Sequence, residues 1–113
     1  MNAKSDGTDG SSDREPYAEG SVLTVLLGDD PKVKILAALL SESNRDFNVT
    51  DISRLAGVSR NTVYRHLDDL MTVNVVEHTR DMGDSHMYQV NRDSAVAEKL
   101  AEIEWDLIDT IYE

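Results

Sequence analysis

The stretch from Val49 to Leu70 constrains the fold of this chain more than any other part of the sequence. It contains two short segments in which apolar residues recur at helical spacing, joined by Gly57, Val58 and Ser59. Glycine gives the backbone freedom that a tight turn between steeply crossing helices needs, and Ser59 is suited to cap the second helix. Because Val58 is apolar, we expect it to fill the turn. The pattern predicts a helix, a tight turn and a second helix that crosses the first.

The second of these helices has one apolar and one polar face. Steps of about 100° per residue over positions 60–71 bring four apolar residues to one side: Val63, Leu67, Leu70 and Met71. The opposite side carries Asn61, Thr62 and Arg65, followed one turn later by Asp68 and Asp69, and Arg60 and Tyr64 flank the apolar stripe. The two aspartates oppose the helix dipole, so helix stability does not explain them. Such a polar face either binds a partner or contacts solvent alone.

Two further helices are predicted before this motif. Asp30 and Pro31 form a strong start signal for a helix that runs to about Ser43. Residues 22–27 are apolar and stop at Gly28, which indicates a short buried helix, although a strand also fits so short a run.

A β-hairpin is predicted after the motif. Residues 75–80 and 86–90 are rich in strand-forming side chains, and the five residues 81–85 between them include glycine and aspartate. Within the motif itself, residues 47–49 form a short extended link, and Thr50 is expected to cap the first helix.

The charge distribution singles out one segment of an acidic chain. The 113 residues include 22 Asp and Glu against 11 Lys and Arg, and a net charge of −11 ordinarily argues against binding to phosphate groups. Residues 31–66, however, carry six basic and three acidic side chains, and this segment overlaps the two-helix motif. The absence of cysteine excludes a disulfide framework, a thiolate zinc site and a cysteine nucleophile.

The motif, followed at the right distance by a hairpin, resembles the winged helix-turn-helix transcription regulators, particularly the small archaeal ones related to the MarR and ArsR groups. The resemblance covers about residues 21–92. Its most specific parts are Ile52-x-x-Leu55-Ala56-Gly57-Val58-Ser59 and Thr62-Val63-Tyr64-Arg65-His66-Leu67. It implies an α+β fold, mostly α, consisting of a winged helix-turn-helix with an added C-terminal dimerisation helix. We accordingly divide the chain into a disordered acidic tail (1–18), a DNA-binding domain (19–92) and a dimerisation helix (93–113).

A helix that enters the major groove by its N-terminus is expected at residues 59–71. Arg65 is suited to guanine and Asn61 to adenine, each adding about 1–3 kcal/mol of base discrimination. Thr62, Tyr64 and the Ser59 end of the helix suit phosphate contacts. The full set of expected DNA-binding residues is Thr50, Ser59, Arg60, Asn61, Thr62, Tyr64, Arg65 and Arg80.

The wing departs from the family pattern. Family wings commonly carry basic residues at the tip, whereas Asp81 and Asp84 here repel phosphate. Arg80, at one base of the wing, is expected to reach the DNA backbone. His78 and His86 lie on opposing strands, but carboxylates are plentiful throughout the chain and proximity to them proves little. We therefore interpret all three histidines as ordinary surface residues and expect no metal and no cofactor.

The last helix, which Asp93 or Ser94 caps, has two apolar stripes. They consist of Val96, Leu100, Ile103, Leu107 and Ile111, and of Ala97, Ala101, Trp105, Ile108 and Tyr112. If one stripe packs on its own domain, the other needs a partner, and the simplest partner is the same helix in a two-fold homodimer. Burial of both stripes within one monomer is the alternative. The expected dimer interface involves Leu100, Trp105, Ile108 and Tyr112.

These features predict a sequence-specific regulator of transcription, most simply a repressor, that binds double-stranded DNA as a homodimer. The alternative is a winged-helix module that binds a protein in a transcription or chromatin complex. No nucleophile motif, phosphate loop or HExxH motif is present, so we do not expect an enzyme. The sequence has no membrane span or targeting segment, which favours a cytoplasmic protein, and it identifies no small-molecule effector. Low lysine with abundant Asp and Glu resembles the proteins of extremely halophilic archaea.

Overall fold

A computed structural model describes residues 21–112 and has the element order of a winged helix. Its helices are α1 (Val22–Leu27), α2 (Pro31–Ser41), α3 (Val49–Ala56), α4 (Arg60–Thr72) and α5 (Ala95–Tyr112), and its strands are β1 (Val76–Met82) and β2 (Ser85–Val90). The strands pair antiparallel. The predicted α+β winged helix-turn-helix with a C-terminal helix is therefore confirmed. The tail predicted at 1–18 lies outside the described residues. Within the described part of the chain, none of the helices combines the length and apolar character that a membrane crossing requires.

Helix α2 forms the centre of the hydrophobic core. It begins as predicted, because the Asp30 side chain accepts a hydrogen bond of 2.9 Å from the Lys32 backbone N–H and Pro31 occupies the first helical position. Six consecutive residues, from Ile35 to Leu40, are buried. A helix that is buried all round needs neighbours on every side, and α1, α3, α4 and β2 supply them.

Phe47 joins the hairpin to this core. Its backbone N–H and C=O each bond Tyr88 at 2.8 Å, so Phe47 adds a third strand position beside β2, on the side away from β1. The ring is buried in the core, and the Arg45 guanidinium lies over it, 4.8 Å from its centroid. The wing is thus anchored to the helices through one aromatic residue of the link between α2 and α3.

The start of α3 differs from the prediction. Asn48 is the cap, because its side chain accepts a hydrogen bond of 2.7 Å from the Asp51 N–H while its own backbone is extended. Thr50 was wrongly predicted as the cap. It lies inside the first turn, since Val49 already has helical conformation, and its side chain is exposed.

The wing loop and α1 also differ from expectation. The loop contains only Gly83 and Asp84, instead of the five predicted residues, because the strand pairing continues to the Met82–Ser85 pair. Gly83 has a φ of +62°, which suits glycine in so tight a turn. Helix α1 forms as predicted between Ser21 and Gly28, but only its first two residues, Val22 and Leu23, are buried. Its exposed apolar residues are Val25, Leu26 and Leu27.

Helix α5 packs on the core by a side that lies between the two predicted stripes. Ser94 is its cap, because the Ser94 Oγ accepts a hydrogen bond of 3.2 Å from the Ala97 N–H. Residues from both stripes contact the core, namely Ala97, Leu100, Ala101 and Leu107. Leu100 was predicted at the dimer interface, but it faces its own domain. The exposed apolar residues of α5 also come from both stripes, and they are Val96, Ile103, Trp105, Ile111 and Tyr112.

Candidate nucleic-acid interface

The polar face of α4 lies on the protein surface. Val63 and Leu67 are fully buried, and these two anchors fix the rotation of the helix about its axis. The N-terminal half of the opposite face consequently points away from the core, with the Thr62 side chain half-buried. Its exposed residues are Arg60, Asn61, Tyr64 and Arg65. The structure thus brings the side chains predicted on this helix to one open surface.

The turn before α4 sets the direction in which this helix leaves α3. Gly57 adopts the left-handed conformation, with a φ of +73°, and its N–H bonds the Ser53 carbonyl at 2.9 Å. Val58 packs against the core as predicted. Ser59 then caps α4, since its Oγ accepts a hydrogen bond of 3.1 Å from the Thr62 N–H and lies 2.8 Å from the Thr62 hydroxyl.

A shallow cleft connects α3, α4 and the wing. Thr50 lines it from α3, Arg60 and Tyr64 line it from α4, and Asp84 and His86 line it from the wing. Thr50, although it caps nothing, therefore lies on the same surface as the exposed residues of α4. The wing forms the third side of this surface, and the Asp84 carboxylate at its tip lines the same cleft as Arg60 and Tyr64.

Salt bridges distinguish the arginines of α4 from most others in the described residues. Three arginines outside α4 are each paired with a carboxylate: Arg45 with Glu42, Arg54 with Asp51 and Arg80 with Asp46. Arg60 and Arg65 form no salt bridge with any residue between 21 and 112. Arg92, beside the start of α5, shares this property. The exposed face of α4 therefore carries two guanidinium groups that are available to a ligand.

Comparison with protein families identifies the group to which this fold belongs. Residues 30–100 match the family described as sugar-specific transcriptional regulator TrmB. The chain belongs to the TrmB family. The match covers more than half of the sequence and includes α2, α3, α4 and the hairpin. The prediction of a helix-turn-helix transcription regulator is confirmed at the level of the family, whose description is that of a transcriptional regulator. Comparison with curated proteins and with solved structures gave no significant match.

In this TrmB-family chain the wing arginine is already engaged. The Arg80 Nε lies 2.9 Å and its Nη2 3.2 Å from the two carboxylate oxygens of Asp46, and the Thr79 hydroxyl donates to the same carboxylate at 2.7 Å. The Arg80 and Thr79 hydrogen bonds lower the pKa of Asp46 below its usual value of 3.8, so this carboxylate stays ionised. A phosphate contact by Arg80 has to share the guanidinium with Asp46. No sequence pattern indicated this pair, because 34 positions separate its members.

One of the two aspartates at the end of α4 has a structural partner. The Asp69 carboxylate lies 2.9 Å from the Lys32 ammonium at the start of α2, and this hydrogen bond lowers the pKa of Asp69. Asp69 thus ties α4 to α2 and explains a charge that helix stability alone did not. His66 on the same helix is half-buried, and its Nδ1 is buried without a hydrogen-bond partner among the described residues.

Proposed function

We propose that this TrmB-family protein binds double-stranded DNA sequence-specifically, with α4 in the major groove, and regulates transcription from that site. The observation that carries the proposal is the exposed N-terminal half of α4. Arg60 and Arg65 lie there without salt bridges, in a chain whose net charge is −11. Two guanidinium groups without salt bridges, on a helix that the fold presents at the surface, suit an anionic partner. The family description supports a role in transcription.

The side chains of this surface divide by the DNA groups that they suit. Arg65 and Asn61 extend from the exposed face of α4, and their donor and acceptor patterns fit the major-groove edges of guanine and adenine. Arg60, Tyr64 and Thr50 border the cleft beside the wing and suit phosphate oxygens, as do Thr62 and the Ser59 end of the helix. Base contacts would specify the sequence, while phosphate contacts would set the orientation of the domain.

We further propose a two-fold homodimer formed through α5. Trp105 and Tyr112 are 67% and 73% exposed, and Ile108 beside them is half-buried. Helix α1, which contacts α5, adds exposed apolar residues of its own. Exposed apolar surface of this kind marks protein interfaces more often than free surface. A two-fold dimer would present two copies of α4 to a pseudo-palindromic site, and occupation of that site would repress by blocking promoter access.

Selection from random duplexes tests the DNA-binding proposal. The wild type is expected to enrich one sequence. Arg65→Ala should then lose about 5- to 150-fold in affinity for that sequence, corresponding to about 1–3 kcal/mol, with little change for a scrambled duplex. Arg60→Ala should weaken both duplexes equally, because a phosphate contact carries no base information. Arg92→Ala removes the same charge beside α5 and serves as the matched control. Unchanged affinity of Arg65→Ala for the selected duplex contradicts the placement of α4.

A protein-binding module is the second candidate, and the charge of the wing favours it. Asp81 and Asp84 are exposed there, and Arg80 is engaged by Asp46. This arrangement suits a basic protein better than DNA. If no duplex is retained at any salt concentration while a protein partner co-purifies with the chain, this candidate replaces the first.

We also propose a halophilic archaeal source and action in the cytoplasm, on chromosomal DNA. Most carboxylates among the described residues are exposed and are distributed over the wing, α5 and the loops. Such a surface retains hydration at molar salt. The same salt weakens phosphate contacts by counterion release, so base contacts and shape would have to carry more of the affinity.

A further inference from the structure

The wing brings two histidines and an aspartate together at one point. The Asp81 Oδ1 lies 2.7 Å from the Nε2 of His78 and 2.6 Å from the Nδ1 of His86. One ligand atom from each of the three residues lies within 4.8 Å of the others, and all three side chains are exposed. The two imidazole rings meet edge to face, with 5.2 Å between their centroids.

A β-bulge creates this cluster. In a regular strand, residues three positions apart point to opposite faces, which would separate His78 from Asp81. The register shifts between His78 and Arg80, however, and leaves Thr79 as the extra residue. His78 then pairs with Tyr88 and Asp81 with His86, so that the three side chains share one face of the hairpin.

The bulge itself is held by contacts outside the hairpin. The Thr79 hydroxyl donates to Asp46, and the neighbouring Arg80 binds both oxygens of the same carboxylate. Asp46 belongs to the loop before Phe47, which is anchored in the core. Its contacts with Thr79 and Arg80 therefore hold the bulge that brings His78 and Asp81 to one face. Three ligand side chains on a held backbone lose less conformational freedom on binding than three on a mobile loop.

The hydrogen bonds of the cluster point to a position for a cation. An ionised carboxylate only accepts hydrogen bonds, so both ring nitrogens that face Asp81 carry protons in this arrangement. A neutral imidazole can hold its proton on the other nitrogen instead. One cation among the three ligand atoms can therefore replace both N–H contacts without removing a proton from either ring.

We propose that His78, Asp81 and His86 bind a divalent transition-metal ion such as Zn²⁺. Two imidazoles and one carboxylate are ligands that zinc accepts, and three protein ligands leave a fourth position for water. With bonds of about 2.1 Å in tetrahedral geometry, ligand atoms lie about 3.4 Å apart. The separations of 2.6 and 2.7 Å between Asp81 and the two rings have to open by less than about 1 Å, and the two ring nitrogens, which lie within 4.8 Å of each other, have to take the same spacing. Exposed side chains permit both changes. An aspartate with the ordinary pKa of 3.8 is ionised at neutral pH, so Asp81 supplies an anionic ligand.

A bound ion would reverse the charge of the wing beside α4. Neutral imidazoles and one carboxylate carry a single negative charge, which a divalent ion changes to a single positive charge. His86 lines the same cleft as Thr50, Arg60 and Tyr64, so this change occurs at the surface proposed to meet phosphate. The effect on DNA binding rests on the proposed function, whereas binding of the ion does not.

Calorimetric titration of the full chain with zinc chloride tests the site. The wild type is expected to bind one ion per chain. Asp81→Asn and His86→Ala should each weaken this binding at least about tenfold, while Asp84→Asn should leave it within about twofold. Asp84→Asn is the matched control, since it removes the same charge from the same hairpin without removing a ligand. All these side chains are exposed, and circular dichroism will show whether each variant keeps the fold of the wild type.

Nitrogen-detected NMR of the histidine rings locates the ion. Zinc is expected to shift the ring nitrogens of His78 and His86 and to leave those of His66 unchanged. Equal zinc affinity in the wild type and Asp81→Asn, or an absence of binding, overturns the proposal. These readouts need no DNA. If the wild type binds zinc but no duplex, the metal site is supported and the proposed function is contradicted. If it binds a duplex but no zinc, the proposed function is supported and the metal site is contradicted.

Discussion

The substitution Trp105→Glu tests the dimer interface, and the exposed area of Trp105 gives the expected change in the free energy of dimerisation. A tryptophan side chain has up to about 250 Å² of surface to bury, so at 67% exposure about 170 Å² of Trp105 is available. At about 25 cal/mol per Å², full burial contributes about 4 kcal/mol per chain and about 8 kcal/mol per two-fold dimer. Burial of half that area still contributes about 4 kcal/mol, which corresponds to about a thousandfold change in the dimer dissociation constant.

Sedimentation equilibrium over a range of protein concentrations measures this change. We expect the wild type to dimerise and Trp105→Glu to stay monomeric at concentrations where the wild type is a dimer. Val73→Glu is the control, because it places the same charge on an exposed apolar residue at the end of α4, away from α5. A dimer dissociation constant for Trp105→Glu within about threefold of the wild-type value refutes the proposed interface, because burial of the tryptophan would change that constant far more. A wild type that is monomeric throughout refutes the homodimer itself.

Three further predictions concern the core, the wing and the salt dependence. Phe47→Ala is expected to lower the free energy of unfolding by about 3–5 kcal/mol in denaturant titrations, because it removes the buried ring that joins wing and core, and a loss under about 1 kcal/mol contradicts that role. The folded-state pKa of Asp46 lies below 3.8, so its ionised form stabilises the fold at neutral pH and this contribution is lost as pH falls below 3.8. The difference in unfolding free energy between the wild type and Asp46→Asn should therefore shrink over that range, and a difference independent of pH contradicts the pairing with Arg80. With about six phosphate contacts, a roughly 30-fold rise in salt removes on the order of eight decades of affinity by counterion release. A halophilic regulator should bind its selected duplex at molar salt more tightly than that extrapolation, as fluorescence anisotropy can measure, and a slope that stays linear to molar salt contradicts the halophilic source.

Local patterns in the sequence were sufficient for the elements that present α4. The caps at Asp30 and Ser59 and the turn at Gly57 depend on hydrogen bonds between residues two to five positions apart. Their geometry is therefore settled within one helical turn of sequence. The periodic apolar residues of α4 likewise determined which side of that helix is exposed. Thr50 shows the limit of this reasoning, because Asn48 and Thr50 are both suited to cap a helix and the structure uses Asn48.

The orientation of α5 could not be predicted in the same way. Two apolar stripes on one helix leave its rotation open, since either stripe satisfies the periodicity. In the structure, α5 packs against α1 and the core by the side between its two stripes. Leu100 therefore faces the core, and Trp105 is exposed. The choice depends on the shape of the surface that receives the helix.

The sequence by itself determined a helix-turn-helix with a wing, the caps at Asp30 and Ser59 and the exposed face of α4, because these follow from contacts between residues close along the chain. Only the tertiary structure decided that Arg80 pairs with Asp46 and that His78, Asp81 and His86 converge. The physical reasons differ. Asp46 and Arg80 are 34 positions apart with α3 and α4 between them, so no local pattern connects them. The bulge shifts strand register by one residue, which reverses the faces that a regular alternation predicts.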